Sequence, residues 1–82
     1  MKKTIMLFAG TTEGRRICEF LAVKKCITHV YVTTEYGKEL LPGQNNVYIH
    51  VGKMDEKQMS DEISAIHPDI VIDATHPYAT QV

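Results

Sequence analysis

Short apolar runs alternate along this chain with stretches of helical spacing, an order that leaves few ways to build a sheet. Residues 4–9, TIMLFA, are too few for a buried helix and rich enough in Ile, Leu and Phe for a strand covered on both faces. Gly10 breaks that run. TTEGRRICEFLAVKKC follows, with Ile17, Phe20, Leu21 and Ala22 at helical spacing and Thr11 or Thr12 available as the N-cap, which predicts a helix over about 13–25. Residues 28–33 alternate and are β-branched, predicting a second strand, and VYIHV at 47–51 predicts a short third. Between them, EYGKELLPGQNN is punctuated by Gly37, Pro42, Gly43 and two asparagines, and it reads as loop with a turn of helix at 37–41.

Asp55 followed by Gln58 is a reciprocal capping pattern, and Met59, Ile63 and Ile66 share one helical face behind it. Pro68 cannot continue that helix, which is expected to end near His67. DIVIDA, 69–74, predicts a fourth strand, and Pro77 suits the first turn of another helix. Strands separated by helices imply parallel pairing through right-handed crossovers, because parallel neighbours need a long connection. The expected fold class is therefore α/β: a Rossmann-like open parallel sheet, its four strands in order 3-2-1-4 with flanking helices. The first and fourth strands then adjoin where the winding reverses.

With 82 residues the chain reads as one domain, 1–82, able to bury a single core. Its close in HPYATQV resembles a helix stopped before it packs, so a truncated piece of a longer protein is expected, with the fourth strand left as a sheet edge open to self-association. No segment approaches the roughly 18 apolar residues of a membrane span. The lysines before the first apolar run imitate a signal peptide, but that run is shorter than a secretory core and no cleavage pattern follows. Cys18 and Cys26 lack CxxC spacing and fit reduced thiols, so a cytoplasmic location is expected. The formal charge of −1 is mixed along the chain, without the basic footprint of a nucleic-acid binder. His29, His50 and His67 have no metal-ligand spacing with a cysteine or acid, and no metal is expected. Tyr31, Tyr48 and Met59 read as core or sheet-face residues.

Ligands of open parallel sheets sit outside the carboxyl ends of the strands at the reversal point. Two loops line that place, GTTEGR after the first strand and DATHPYA after the fourth. In the first, Gly10 permits a tight turn, Gly14 allows close approach to the sheet or to a ligand, and the free amides with Thr11 and Thr12 suit a phosphate. The spacing departs from G-x-G-x-x-G by one glycine, and Glu13 competes for the same donors unless Arg15 or Arg16 offsets it. Glu35 follows the second strand about 20 residues beyond Gly14, where an acid holds the adenosine ribose; that position favours NADH, whereas Lys38, Thr33 or Thr34 would favour NADPH. In the second loop, Asp73 ends a buried strand, Thr75 can cap the next helix, Pro77 fixes its first turn and Tyr78 projects from it. His76 then sits at the crevice mouth, able to bind a carboxylate, donate a proton near neutral pH or hydrogen-bond backbone.

GTTEGR, TTEYGKELL and VIDATHPYA, in that order and spacing, closely resemble the N-terminal region of the precorrin-6A reductases of cobalamin biosynthesis, with DATHPYA the most specific part. The resemblance implies a two-domain enzyme that reduces one double bond of a precorrin or cobalt-precorrin macrocycle with NADPH or NADH, the active site lying between the domains. It implicates Gly10, Thr11, Thr12, Gly14 and Arg15 at the cofactor, joined by Glu35 on the argument above. Asp73, Thr75, His76, Pro77 and Tyr78 would face the tetrapyrrole, with His76 or Tyr78 as proton donor. A non-catalytic nucleotide or sugar-phosphate binding module is the alternative that the same sheet permits. A phosphoacceptor signalling domain is disfavoured, because the first strand ends in Ala9-Gly10 rather than in acids.

Overall fold

The computed structural model of the chain describes residues 3–10, 12–41 and 43–74. Strands β1 (Lys3–Ala9), β2 (Cys26–Val32), β3 (Val47–Val51) and β4 (Ile70–Ala74) pair in parallel in the order β3-β2-β1-β4. Helices α1 (Thr12–Ala22), α2 (Glu35–Glu39) and α3 (Glu56–Ile66) make the crossovers. This is the Rossmann-like α/β arrangement that the alternation of runs predicts. Among these residues no helix is long and apolar enough to cross a membrane.

Period-2 alternation divides the core between the two faces of the sheet. Leu7, Ala9, Val30, Val32 and Ala74 meet Cys18 of α1 on one face. Met6, Phe8 and Tyr31 meet Met54, Met59, Ile63 and Ile66 of α3 and the loop before it on the other. β1 has a strand on either side and a helix over each face, so Ile5 through Ala9 are all buried. Each such side chain removed from water contributes about 1.5–3 kcal/mol. β4 is less covered, and Ile70 and Val71, on opposite faces, are 48% and 45% exposed.

The buried stripe of α1 is Gly14, Cys18, Leu21 and Ala22. Phe20, expected in that stripe, instead lies 60% exposed with the Lys24 ammonium 4.4 Å from its ring centre. The stripe turns through Cys18, which places Phe20 toward solvent. α1 also ends at Ala22 rather than near 25, because β2 begins early: Cys26 pairs with Lys3 and Ile27 with Thr4. The Asn46 amide fixes that start by donating to the Lys24 and Cys26 carbonyls, at 3.2 and 2.9 Å.

α2 occupies 35–39 rather than 37–41, because the extended Thr34 caps it and its hydroxyl accepts from the Gly37 N–H at 3.0 Å. α3 has the expected capping box: Gln58 N–H donates to Asp55 Oδ1 at 2.8 Å and Asp55 N–H to Gln58 Oε1 at 2.9 Å. It stops where His67 turns left-handed, φ 53°, and donates to the Ile63 carbonyl at 2.9 Å. The return to the sheet is clasped at two points: Thr4 N–H donates to Asp69 Oδ2 at 2.8 Å, and Asp69 N–H to the Thr4 carbonyl at 2.7 Å.

Candidate cofactor cleft at the carboxyl end of the sheet

β1 and β4 finish level, with Ala9 opposite Ala74, so the two motif loops leave the sheet from adjacent points. Beside them a cleft of about 350 Å³ opens between the start of α1 and the β2–α2 turn. That volume is at the small end of the roughly 300–1,000 Å³ typical of ligand sites. Gly10, Thr12 and Arg15 line it from the first motif, and Thr33 and Thr34 from the end of β2. Leu40 and Leu41 supply apolar surface beyond α2.

Gly14 is buried and does not line the cleft. A Cβ placed there would stand 2.8 Å from the Ala9 Cβ, 2.9 Å from the Ala9 Cα and 3.4 Å from the Ala74 Cβ. Its task is close contact between helix and sheet, which aims the first turn of α1 along the cleft wall and matches the packing role of the last glycine in dinucleotide fingerprints. Arg15 follows at the wall, half-buried, its Nε buried with no hydrogen-bond partner. A desolvated guanidinium N–H without an acceptor costs on the order of 1–3 kcal/mol or more, so the group suits an incoming anion. Glu13 is exposed in the first turn, and Lys57 and Asp61 form an ion pair at 3.6 Å, away from the cleft.

Glu35 occupies the exposed first turn of α2 and lies outside the residues that line the cleft, as does Lys38. Asp73 is exposed near the end of β4, beside Phe8 and engaged in an interaction of its own. Thr11, Thr75, His76, Pro77 and Tyr78 lie outside the described residues.

The opposite face holds a network that sequence reasoning missed. The register sets Phe8, Tyr31 and His50 in one row across β1, β2 and β3, and Met6, His29 and Tyr48 in the next. Tyr31 stacks on Phe8 at 5.1 Å and on His50 at 4.6 Å, and its hydroxyl donates to Glu62 of α3 at 2.7 Å. Burial, then that hydrogen bond and the carboxylate charge, hold the phenol far above its ordinary range. His29 Nδ1 and His50 Nε2 are 3.0 Å apart while their ring centres are 5.3 Å apart. The rings therefore meet edge to edge and share one proton, rather than turning two lone pairs toward a common point. Burial and then the neighbouring His50 lower the His29 pKa from 6.5, against a smaller upward pull from Glu62. Among the described residues no three His, Cys, Asp or Glu side chains converge as a metal site. HVY and YIH carry a period-2 signal for these rows, but only the strand register joins them. A shallow hollow of about 450 Å³, bounded by His50, Lys53, Gln58 and Glu62, lies over this network.

Cys18 and Cys26 are free and buried. Burial, with Glu19 adding, pushes the Cys18 thiol up to about 11, which leaves it unreactive as a nucleophile.

The model of the family described as precorrin-6x reductase CbiJ/CobK matches residues 4–82. The cobalt-precorrin-6A reductase of Methanothermobacter thermautotrophicus is 30% identical over 81 residues, which cover 98% of this chain and 27% of that enzyme. The chain thus spans about a quarter of the length of the curated relative it matches. No solved structure matches it significantly. A four-stranded parallel sheet in the order β3-β2-β1-β4, with the ends of β1 and β4 side by side at its reversal point, agrees with the family match over nearly the whole chain: the protein belongs to the precorrin-6x reductase CbiJ/CobK family.

Proposed function

We propose that these residues are the cofactor-binding, N-terminal domain of an NAD(P)H-dependent enzyme that reduces one double bond of precorrin-6A, or of its cobalt complex, in cobalamin biosynthesis. The observation that carries this reading is the cleft at the carboxyl ends of β1 and β2, with Arg15 and the start of α1 on its wall, in a chain of this family. A dinucleotide laid there would meet the α1 amides with its pyrophosphate and the end of β2 with its adenosine ribose. The bound nicotinamide would supply hydride to an electrophilic carbon of the conjugated ring.

The remaining work falls to side chains that hold and orient. Thr12 and Arg15 would anchor the cofactor by charge-assisted hydrogen bonds. Asp73, Thr75, His76, Pro77 and Tyr78 would form the macrocycle side, because in sequence they close or directly follow β4, whose last residue pairs with the last residue of β1 at the reversal point. His76 suits a carboxylate arm of the ring or, with Tyr78, delivery of the proton that completes the reduction. Most of the rate gain then comes from positioning two large ligands against each other.

The test is equilibrium binding of NADPH and NADH to the full-length protein and to Thr12→Glu. A carboxylate in the first turn is compatible with the helix dipole and leaves the fold intact, yet repels an anion bound at the same amides. The expected result is a loss of about 10-fold or more for both cofactors, equivalent to about 1.4 kcal/mol. Unchanged binding of both would place the cofactor elsewhere in the enzyme.

A further inference from the structure

We infer that the outer edge of β3 pairs antiparallel with the same edge of a second copy of this chain, joining two sheets about a two-fold axis at Ile49. This is independent of the cofactor reading above, because β3 takes no part in the cleft.

β3 stands at one end of the sheet. The phase of its ladder follows from two bonds: Thr28 N–H donates to the Asn46 carbonyl and Gly52 N–H to the Val32 carbonyl, both at 2.9 Å. With Thr28 opposite Val47 and Val32 opposite Val51, Tyr48 and His50 turn their main-chain groups toward β2, and Val47, Ile49 and Val51 turn theirs outward. The Val47 N–H is taken by the Gln44 carbonyl at 3.1 Å, and the remaining outward groups point away from the sheet. Natural edges are commonly blunted by lysine, proline or a bulge. VYIHV has no lysine, proline or acid, and its register with β2 runs without a bulge. β4, the other outer strand among the described residues, carries Asp73 instead.

One antiparallel register pairs every residue of β3 with a residue of its copy: Ile49 opposite Ile49, Val47 opposite Val51 and Tyr48 opposite His50. There the outward groups of Ile49 bond to their copies and the Val51 N–H donates to the Val47 carbonyl. Tyr48 and His50 fall at the closely spaced sites between those bonds. Both rings are already held. Tyr48 is 50% exposed yet stacks on His29 at 5.2 Å, and His50 is bonded to His29 and stacked on Tyr31. Association therefore orders little that is loose, and the row Phe8, Tyr31, His50 of one copy continues into Tyr48 of the other. That match of each ring to the other across a two-fold axis selects a second copy over an unrelated strand.

The decisive measurement is the mass of the full-length protein in solution across a concentration series, read by sedimentation. Wild type is expected to pass from monomer to dimer. Val51→Pro removes an outward N–H that β2 does not use, and Tyr48→Lys sets a charge at an exposed edge position. Each should raise the dimer dissociation constant by about 10-fold or more, with circular dichroism reporting an intact fold. Tyr48→Lys decides the matter if Val51→Pro does not fold. The register is read by oxidising a mixture of Tyr48→Cys and His50→Cys proteins. The mixture should give a disulfide-linked dimer that neither protein gives alone, because position 48 faces position 50 and not itself. A wild type that stays monomeric at every concentration would overturn the inference and leave the edge to solvent or to another segment of the same chain. A dimer that both substitutions leave intact, or a mixture that links no better than its components, would overturn it by placing the contact on another surface.

Discussion

On the α1 face of the sheet, Gly14 brings a helix backbone onto Ala9 and Ala74, and apolar side chains close around the contact. On the α3 face, Tyr31, Glu62, His29 and His50 carry hydrogen bonds through the packing, and the aromatic rings lie in rows set by strand register. The first face depends on shape and the second on partners. The cleft sits on the first, where its wall is held to within a methyl group of space, and precise placement of a ligand-binding turn benefits from rigid support. The second face carries ionisable groups in its packing and so responds to pH.

Three measurements would break or sharpen that contrast. The largest effect is expected from Gly14→Ala: the new methyl meets backbone and Cβ atoms that cannot swing aside, so about 1–3 kcal/mol of stability should be lost despite the roughly 1 kcal/mol gained in helix propensity. Chemical denaturation reads this, and a variant as stable as wild type would show that α1 can slide on the sheet. Tyr31→Phe keeps the ring stacks and removes only the bond to Glu62, whose carboxylate can turn to water. A loss of about 0.5–1.5 kcal/mol is expected, and a cost equal to that of Gly14→Ala would erase the distinction between the faces.

The smallest effect is in pH dependence. The folded pKa of His29 is depressed, so the unfolded chain binds more protons at this site as the solution is acidified. The contribution is fully present above the unfolded value of 6.5 and is lost as pH falls from there toward the folded pKa. The His50 partner opposes a second proton on the pair, and Glu62 moderates the effect from α3. Stability measured from about pH 8 to about pH 5 should fall more steeply in wild type than in His29→Gln, while matching slopes would mean that the pair does not resist protonation.

Strand order was legible because the arithmetic of alternation is local: an apolar run, a helical stripe and a return permit few sheets. The α3 capping box was legible for the same reason, since Asp55 and Gln58 are three residues apart. What escaped was set across distance. Phe20 looked like core until α1 rotated about Cys18, a residue read as a thiol rather than as a small apolar side chain. The Thr34 cap was available in the sequence, and taking it as a helix start would have moved α2 to its observed position. Glu35 has the separation from Gly14 expected of a ribose acid, and the structure adds that the Thr34 cap puts it in the exposed first turn of α2. The His29–His50 bond needed the β2–β3 register, which no local pattern reveals.

The clasp between Thr4 and Asp69 joins residues 65 positions apart, and through it the central strand acquires its second neighbour. A ribosome delivers β1 first and β4 only after every other described element has been made. For that interval β1, the most apolar of the described strands, has one hydrogen-bonding edge satisfied by β2 and the other open. At translation rates of about 5–20 residues per second the exposure lasts on the order of seconds. Asp69 and the strand behind it close that edge once they are made, so the place of the fourth strand in the chain sets how long the nascent sheet stays open.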